Sequence, residues 1–293
     1  MSLTSLFQWA TDPWEQNVPI HIAWFLIWVS AIAGLLFLIV HATYVRYFAK
    51  PRQYAVEVPP PVASEFPERV PTNSLVARLY KWIMSAAMLT LLFTAFLPRV
   101  GFQFPWVTYH WIAGTVLAAS ILFHIFHASF WMDFWAIWPD RIDITDGGRR
   151  IRRFFGRAAP PPRKSAKYPL DIKLSHGAIM AAGLTAIVTG VLMMFRVRTI
   201  FFPRNPYLFS DMTWGVIYVL HGLAGVGLIA LVMLHIYFAL RPENRHILKA
   251  MIFGWMSRDS YLEEYDPKRW VVEPTISPPE SKGPKGSGAG NAE

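Results

Sequence analysis

Two stretches of this 293-residue chain decide its reading: TYHWIAGTVLAASILFHIF at 108–126 and VLHGLAGVGLIALVMLHIY at 219–237. Each lies within an apolar segment long enough to cross about 30 Å of hydrocarbon as an α-helix. Each carries a histidine near either end, His110 and His124 in the first, His221 and His235 in the second, and both separations are fourteen residues. Fourteen residues of helix turn through roughly 1400°, about 40° short of four full turns, and rise about 21 Å. The two imidazoles of each stretch therefore share one helix face at two depths. An imidazole within a bilayer is costly, so such residues point to function.

Three further segments have the same apolar length, which gives spans at 18–47, 75–97, 106–138, 170–195 and 212–240. Breakers separate them: the Pro-rich stretch at 51–71, Pro98 with Gly101 and Pro105, a basic loop at 139–169, and Pro203 with Pro206. Composition agrees, with 54% hydrophobic, 15% aromatic and only 16% charged residues and a mean hydropathy of +0.30. The expected fold is an all-α integral membrane protein of five transmembrane helices, a four-helix haem-binding bundle from the second to the fifth plus one extra N-terminal helix. There is no cysteine, which excludes disulfides, iron–sulfur clusters, covalently attached c-type haem and cysteine nucleophiles from this chain.

Lys and Arg sort by side. Four (Arg99, Arg196, Arg198 and Arg204) fall on one side, and the remaining 24 lie on the first and third loops and the C-terminal tail or at the helix ends facing them. By the positive-inside rule residues 1–17 lie outside and the tail at 241–293 is cytoplasmic, in a bacterial or archaeal inner membrane. The run Arg149, Arg150, Arg152, Arg153 and Arg157 is then a topology determinant near anionic lipid and not a nucleic-acid site. The Pro/Gly/Ser/Lys-rich end after Pro274 is expected to be disordered.

The third and fifth segments run in the same direction. His110 therefore lies level with His221, and His124 with His235. Two levels of facing imidazoles are the geometry that holds two flat b-type haems inside a helix bundle. Gly114, Gly222, Gly225 and Gly227 would let porphyrins approach the backbone, or would serve close helix packing.

Paired H-x13-H helices resemble the cytochrome b and b6 superfamily. More closely, Val219-Leu-His221-Gly-Leu-Ala-Gly225, Leu234-His235-Ile-Tyr237, Ala250-Met251, Gly254, Met256-Ser-Arg258 and Pro267-Lys-Arg-Trp270 resemble the gamma subunit of membrane-bound formate dehydrogenases and its relatives. The resemblance implies a haem on His110 and His221, and exchange of electrons between a partner subunit, iron–sulfur or cytochrome c, and the quinone pool. It also implies a second haem whose ligand on the second segment is the histidine of an R-x-x-H-W motif. This chain has Arg78-Leu-Tyr-Lys81-Trp82 there. Either His124 completes a pair with His235, which the symmetric spacing favours, or Lys81 ligates iron as a neutral amine. In the first case Lys81 would neutralise a haem propionate, near Arg78.

The family's quinone site uses an N-x-G-Q stretch at the entrance of the fourth segment. Here Asp171, Lys173 and His176 stand at that entrance, and the carboxylate or imidazole is expected to pass protons to a quinone. Asp171 as a helix-start acid and Lys173 as a snorkelling charge are the plainer readings. His127 is read as a helix-end polar residue, His21 and His41 as interfacial, and His246 as a tail residue. Two other functions compete. A di-iron membrane enzyme would need many histidines on one face. A proton or ion transporter would need repeat halves or interrupted helices, and neither pattern is evident.

Overall fold

The computed structural model describes residues 6–48 and 66–272. The tail end expected to be disordered, the first five residues and most of the Pro-rich stretch lie outside the described residues. The described chain runs β1 (Phe7–Thr11), β2 (Asn17–Ile22), α1 (Phe25–Tyr47), β3 (Arg69–Pro71), α2 (Leu75–Phe96), α3 (Trp106–Trp131), α4 (Arg141–Phe154), α5 (Leu170–Met193), α6 (Asp211–Leu240), α7 (Arg245–Phe253), β4 (Trp255–Ser257) and α8 (Arg258–Glu264). Among the described residues, five helices (α1, α2, α3, α5 and α6) are long and apolar enough to cross a membrane. Their outward faces match a lipid solvent: Leu122 and Phe130 on α3 are 68% and 69% exposed, which in water would be an aggregation surface.

Local chemistry sets the helix ends. Ser74 and Ser210 cap α2 and α6, each accepting from a backbone N–H three residues on. Gly101, at φ +100°, closes the turn after α2. α2 packs along α3, α5 packs along α6, and α1 lies on the far side of α6, whereas α3 and α5 touch sparsely. The bundle is therefore two hairpins facing each other, with α1 as an outrigger. Gly34 of α1 sits 3.4 Å from Met233 Sδ, measured from where its Cβ would be. Ser30 donates to the Val226 carbonyl at 2.6 Å, and His41 meets the Tyr237 hydroxyl at 3.1 Å.

Several boundaries differ from the sequence-based ones. The first spanning helix begins at Phe25 and not at Val18, because Asn17–Ile22 pairs with Phe7–Thr11 in an antiparallel hairpin. Its turn is tied by Asp12 Oδ1, which accepts from Trp14 and Gln16. The hairpin lies on α6, where Gly215 leaves room for the Pro19 carbonyl and Gly222 for Ile22. α3 stops at Trp131, short of Trp138, because Asp133 caps a separate 3-10 turn at Phe134–Ile137. The expected loop at 139–169 contains the amphipathic α4, started by a capping box between Asp140 and Asp143. Gly147 lets α4 cross the start of α5, since a Cβ there would lie 2.6 Å from Leu170 Cδ2. Ile144, Ile151, Phe154 and Phe155 of this segment are exposed beside its arginines, the composition of a helix lying in a membrane interface. The tail is folded through Val272 around a core of Phe66, Val70, Met256, Tyr261 and Tyr265, and β3 pairs with β4. Two two-stranded sheets thus flank a spanning region that is entirely helical.

Candidate functional site

Where the two hairpins face each other, on the side of β1 and β2, the rings of His110 (α3) and His221 (α6) have centroids 6.1 Å apart and planes at 72°. Two imidazole–metal bonds of about 2 Å on opposite sides of one ion, plus roughly 1.1 Å from each nitrogen to its ring centre, give about 6 Å. The separation of the pair would let both rings bind one ion held between them.

Threonines fix which nitrogen each ring presents. Thr94 Oγ1 donates to the Thr90 carbonyl at 2.8 Å and lies 2.8 Å from His110 Nδ1. Thr189 Oγ1 donates to the Thr185 carbonyl at 2.6 Å and lies 2.9 Å from His221 Nδ1. A hydroxyl has one proton. With that proton committed to the helix backbone, each threonine accepts from an Nδ1–H, which leaves Nε2 bare and able to bind a metal.

On the tail side the rings of His124 (α3) and His176 (α5) lie 6.4 Å apart with planes at 73°. His124 Nδ1 is 3.0 Å from the Tyr80 hydroxyl, which also contacts Met132 Sδ at 3.6 Å. Lys81 and His127 are further titratable groups near His124. His235, expected opposite His124, is exposed, and no histidine ring stands beside it among the described residues. Lys81 Nζ donates to Asn73 Oδ1 at 2.8 Å. Arg78 donates to the Ile252 carbonyl at 2.6 Å, while its Nε and the Nδ1 of His127 are buried without a protein partner. Unpartnered donors at this level suit an anionic group such as a propionate.

A macrocycle between such imidazoles needs bare backbone around it. Gly183 of α5 is buried, yet a Cβ there would meet no heavy atom within 4 Å; at the half-buried Gly225 and Gly227 of α6 a Cβ would likewise meet none. At Gly114 only Leu91 Cδ2 would be met, at 3.8 Å. A Cβ on Gly190 would come 3.2 Å from His221 Cε1, so this glycine makes room for the His221 ring itself. Gly222 serves the N-terminal hairpin instead. Histidines in facing pairs, threonine-set tautomers and a glycine-lined interior fit b-type haem. They do not suit a bare metal ion, for which no cluster of three or more His, Asp or Glu forms among the described residues.

The three residues expected to serve quinone part company. Lys173 is 4% exposed and pairs with Asp143 at 2.6 Å while donating to the Trp138 carbonyl. Arg269 from the tail binds the other Asp143 oxygen at 2.9 Å and also Asp140. Burial pushes the Asp143 carboxyl up, but the hydrogen bonds from Lys173 and Arg269 outweigh it and hold it below the usual carboxylate range. Lys173 thus ties α4 and the tail to the bundle. Asp171 is exposed in the first turn of α5, beside a small polar pocket that includes Arg150 and Asn244. His176 alone points inward. His21 lies in β2 against Trp24, and His246 approaches Tyr265.

Sequence reading missed Thr94, Thr189 and Tyr80, although a signal was present: T-x3-T occurs once on α2 and once on α5. Residues 72–254, well over half of the chain, match the family described as prokaryotic cytochrome b561. Comparison with curated proteins finds no match. With its paired imidazoles inside five apolar helices, the chain belongs to the prokaryotic cytochrome b561 family, membrane electron-transfer proteins that bind b-type haem.

Proposed function

We propose that this protein is the dihaem b cytochrome of a respiratory membrane complex, carrying electrons across the bilayer between a partner redox subunit and the quinone pool. The observation that carries the reading is the His110/His221 pair, 6.1 Å apart with both Nδ1 atoms held by threonines. A second level of imidazoles on the tail side supports a second haem. Bound haem supplies reversible one-electron chemistry. The chain's residues do the rest. His110 and His221 present bare Nε2 atoms, Thr94 and Thr189 hold the Nδ1 protons, and the lipid-facing apolar helices keep water from both levels.

The resemblance to formate dehydrogenase gamma subunits supports an iron–sulfur or cytochrome c partner on the side of β1 and β2. The charge bias supports an N-terminus outside and a cytoplasmic tail. Quinone exchange is supported on the tail side. An apolar groove between α2 and α3, lined by Leu79, Ile83 and Phe123, has Tyr80 in its wall, and Tyr80 bonds His124. The test adds a quinol analogue to membranes holding the protein and follows the reduced b-type α-band. Reduction through one of two spectral components is expected; no reduction by any quinol, with dithionite still effective, overturns the quinone assignment.

A further inference from the structure

We propose that the tail-side haem is held by His124 and His176, on α3 and α5. This rests on the dihaem reading above and deepens it. The 6.4 Å and 73° of this pair reproduce the 6.1 Å and 72° of His110 and His221. Both separations match the roughly 6 Å between the ring centres of two imidazoles that share one metal ion.

An internal two-fold relation explains why these residues meet. In each hairpin a threonine on the first helix bonds its own backbone four residues back and the Nδ1 of a histidine on the second, Thr94 with His110 and Thr189 with His221. The operation that exchanges these units carries α2 onto α5 and α3 onto α6. Thirteen residues before Thr94 stands Lys81; thirteen before Thr189 stands His176. Fourteen after His110 stands His124; fourteen after His221 stands His235. The tail-side level therefore has two pairs related by this pattern, Lys81 with His235 and His176 with His124, of which the second stands in ring-to-ring contact. Only the second has an imidazole at both ends, and on the first Lys81 is engaged by Asn73.

Depth agrees as well. Gly190, which backs the His221 ring, lies fourteen residues beyond His176, a rise of about 21 Å and the same step that separates His110 from His124. Tyr80 lies fourteen residues before Thr94 and bonds His124 Nδ1 as the threonine bonds His110. That leaves α3 contributing a ligand to both haems, α5 and α6 one each, and α2 only the hydroxyls behind the rings.

The test is the haem-to-protein ratio of the full-length protein purified in mild detergent, by pyridine haemochrome, for wild type, His176→Gly, His235→Gly and Lys81→Ala. Two haems per chain are expected in wild type, and His176→Gly should halve that ratio. Added imidazole should restore it by filling the missing ligand position. His235→Gly and Lys81→Ala should keep the wild-type ratio. A full ratio in His176→Gly overturns the assignment while leaving the dihaem reading intact, and so does a halved ratio that imidazole does not restore. Recovery by imidazole in His235→Gly, from a halved ratio, also overturns it. Fewer than two haems in wild type overturns the dihaem reading itself.

Discussion

Replacing Thr94 or Thr189 with valine removes one hydroxyl and keeps the shape of the side chain. Each hydroxyl accepts an Nδ1 proton, from His110 or His221, and in a haem-bound ring donating that proton would raise its basicity toward the iron. The more basic ligand favours the ferric form, so losing the acceptor must raise the reduction potential. A neutral hydrogen bond has a net worth of about 0.5–1.5 kcal/mol, equivalent to roughly 20–60 mV for one electron. An upward shift of about 20–60 mV is therefore expected. Optical redox titration of the purified protein resolves the b components. Each single variant should move the same component, the double variant should move it about twice as far, and the other component should stay in place. A downward shift, or a shift of the second component, refutes the assignment of both threonines to one haem.

The bare interior gives a graded test. Gly183→Ala should lower haem content modestly and Gly183→Leu strongly, both with the helices intact by circular dichroism. Gly190→Ala, whose methyl would press on the His221 ring at 3.2 Å, should perturb the side of β1 and β2 alone, visible as a change in one redox component. Breaking the tail anchor with Asp143→Ala leaves Lys173 buried without its partner, a loss of about 3–5 kcal/mol, and should expose the tail to limited proteolysis. Because the Asp143 carboxyl lies below its ordinary value when folded, its contribution is complete above the unfolded carboxylate range and disappears as pH falls through the folded value. Wild-type tail protection should therefore be flat above about pH 5 and fall below about pH 4, and that fall should be absent in Asp143→Ala. Gly215→Ala, which would collide with the Pro19 carbonyl, should free the N-terminal hairpin and speed hydrogen exchange in β2 without changing haem content.

The five spans and the two depths of histidine were legible because helical periodicity and bilayer thickness act within one segment at a time. The partner of each histidine was not, because a spacing inside one helix does not say which neighbouring face it meets. His124 was expected to meet its counterpart on α6, and it meets His176 of α5 at 6.4 Å. As the lone histidine of its segment, His176 showed no repeat of its own kind. Its spacing to Gly183 and Gly190, seven residues each, marks a continuous face, but glycines on an apolar helix are as readily read as packing. Threonines are similarly easy to pass over, since most on a spanning helix only bond their own backbone, as Thr90 does with the Ala86 carbonyl. The N-terminal hairpin escaped because Val18 and Ile22 extend the apolar run of α1, and only the cross-strand pairing with Phe7–Thr11 separates them from it. The helix at Arg141–Phe154 was hidden by Gly147 and Gly148, although the Asp140/Asp143 capping box was present in the sequence. Lys173 was assigned to quinone because its place in the chain says nothing of Asp143 thirty residues earlier.

The central claim is that two b-type haems sit one above the other between paired imidazoles. A pyridine haemochrome count on the purified wild-type protein, combined with a reductive titration of its α-band, tests this directly. The account predicts two haem b per chain and two one-electron waves, whereas a single haem with a single wave, or none, would contradict it.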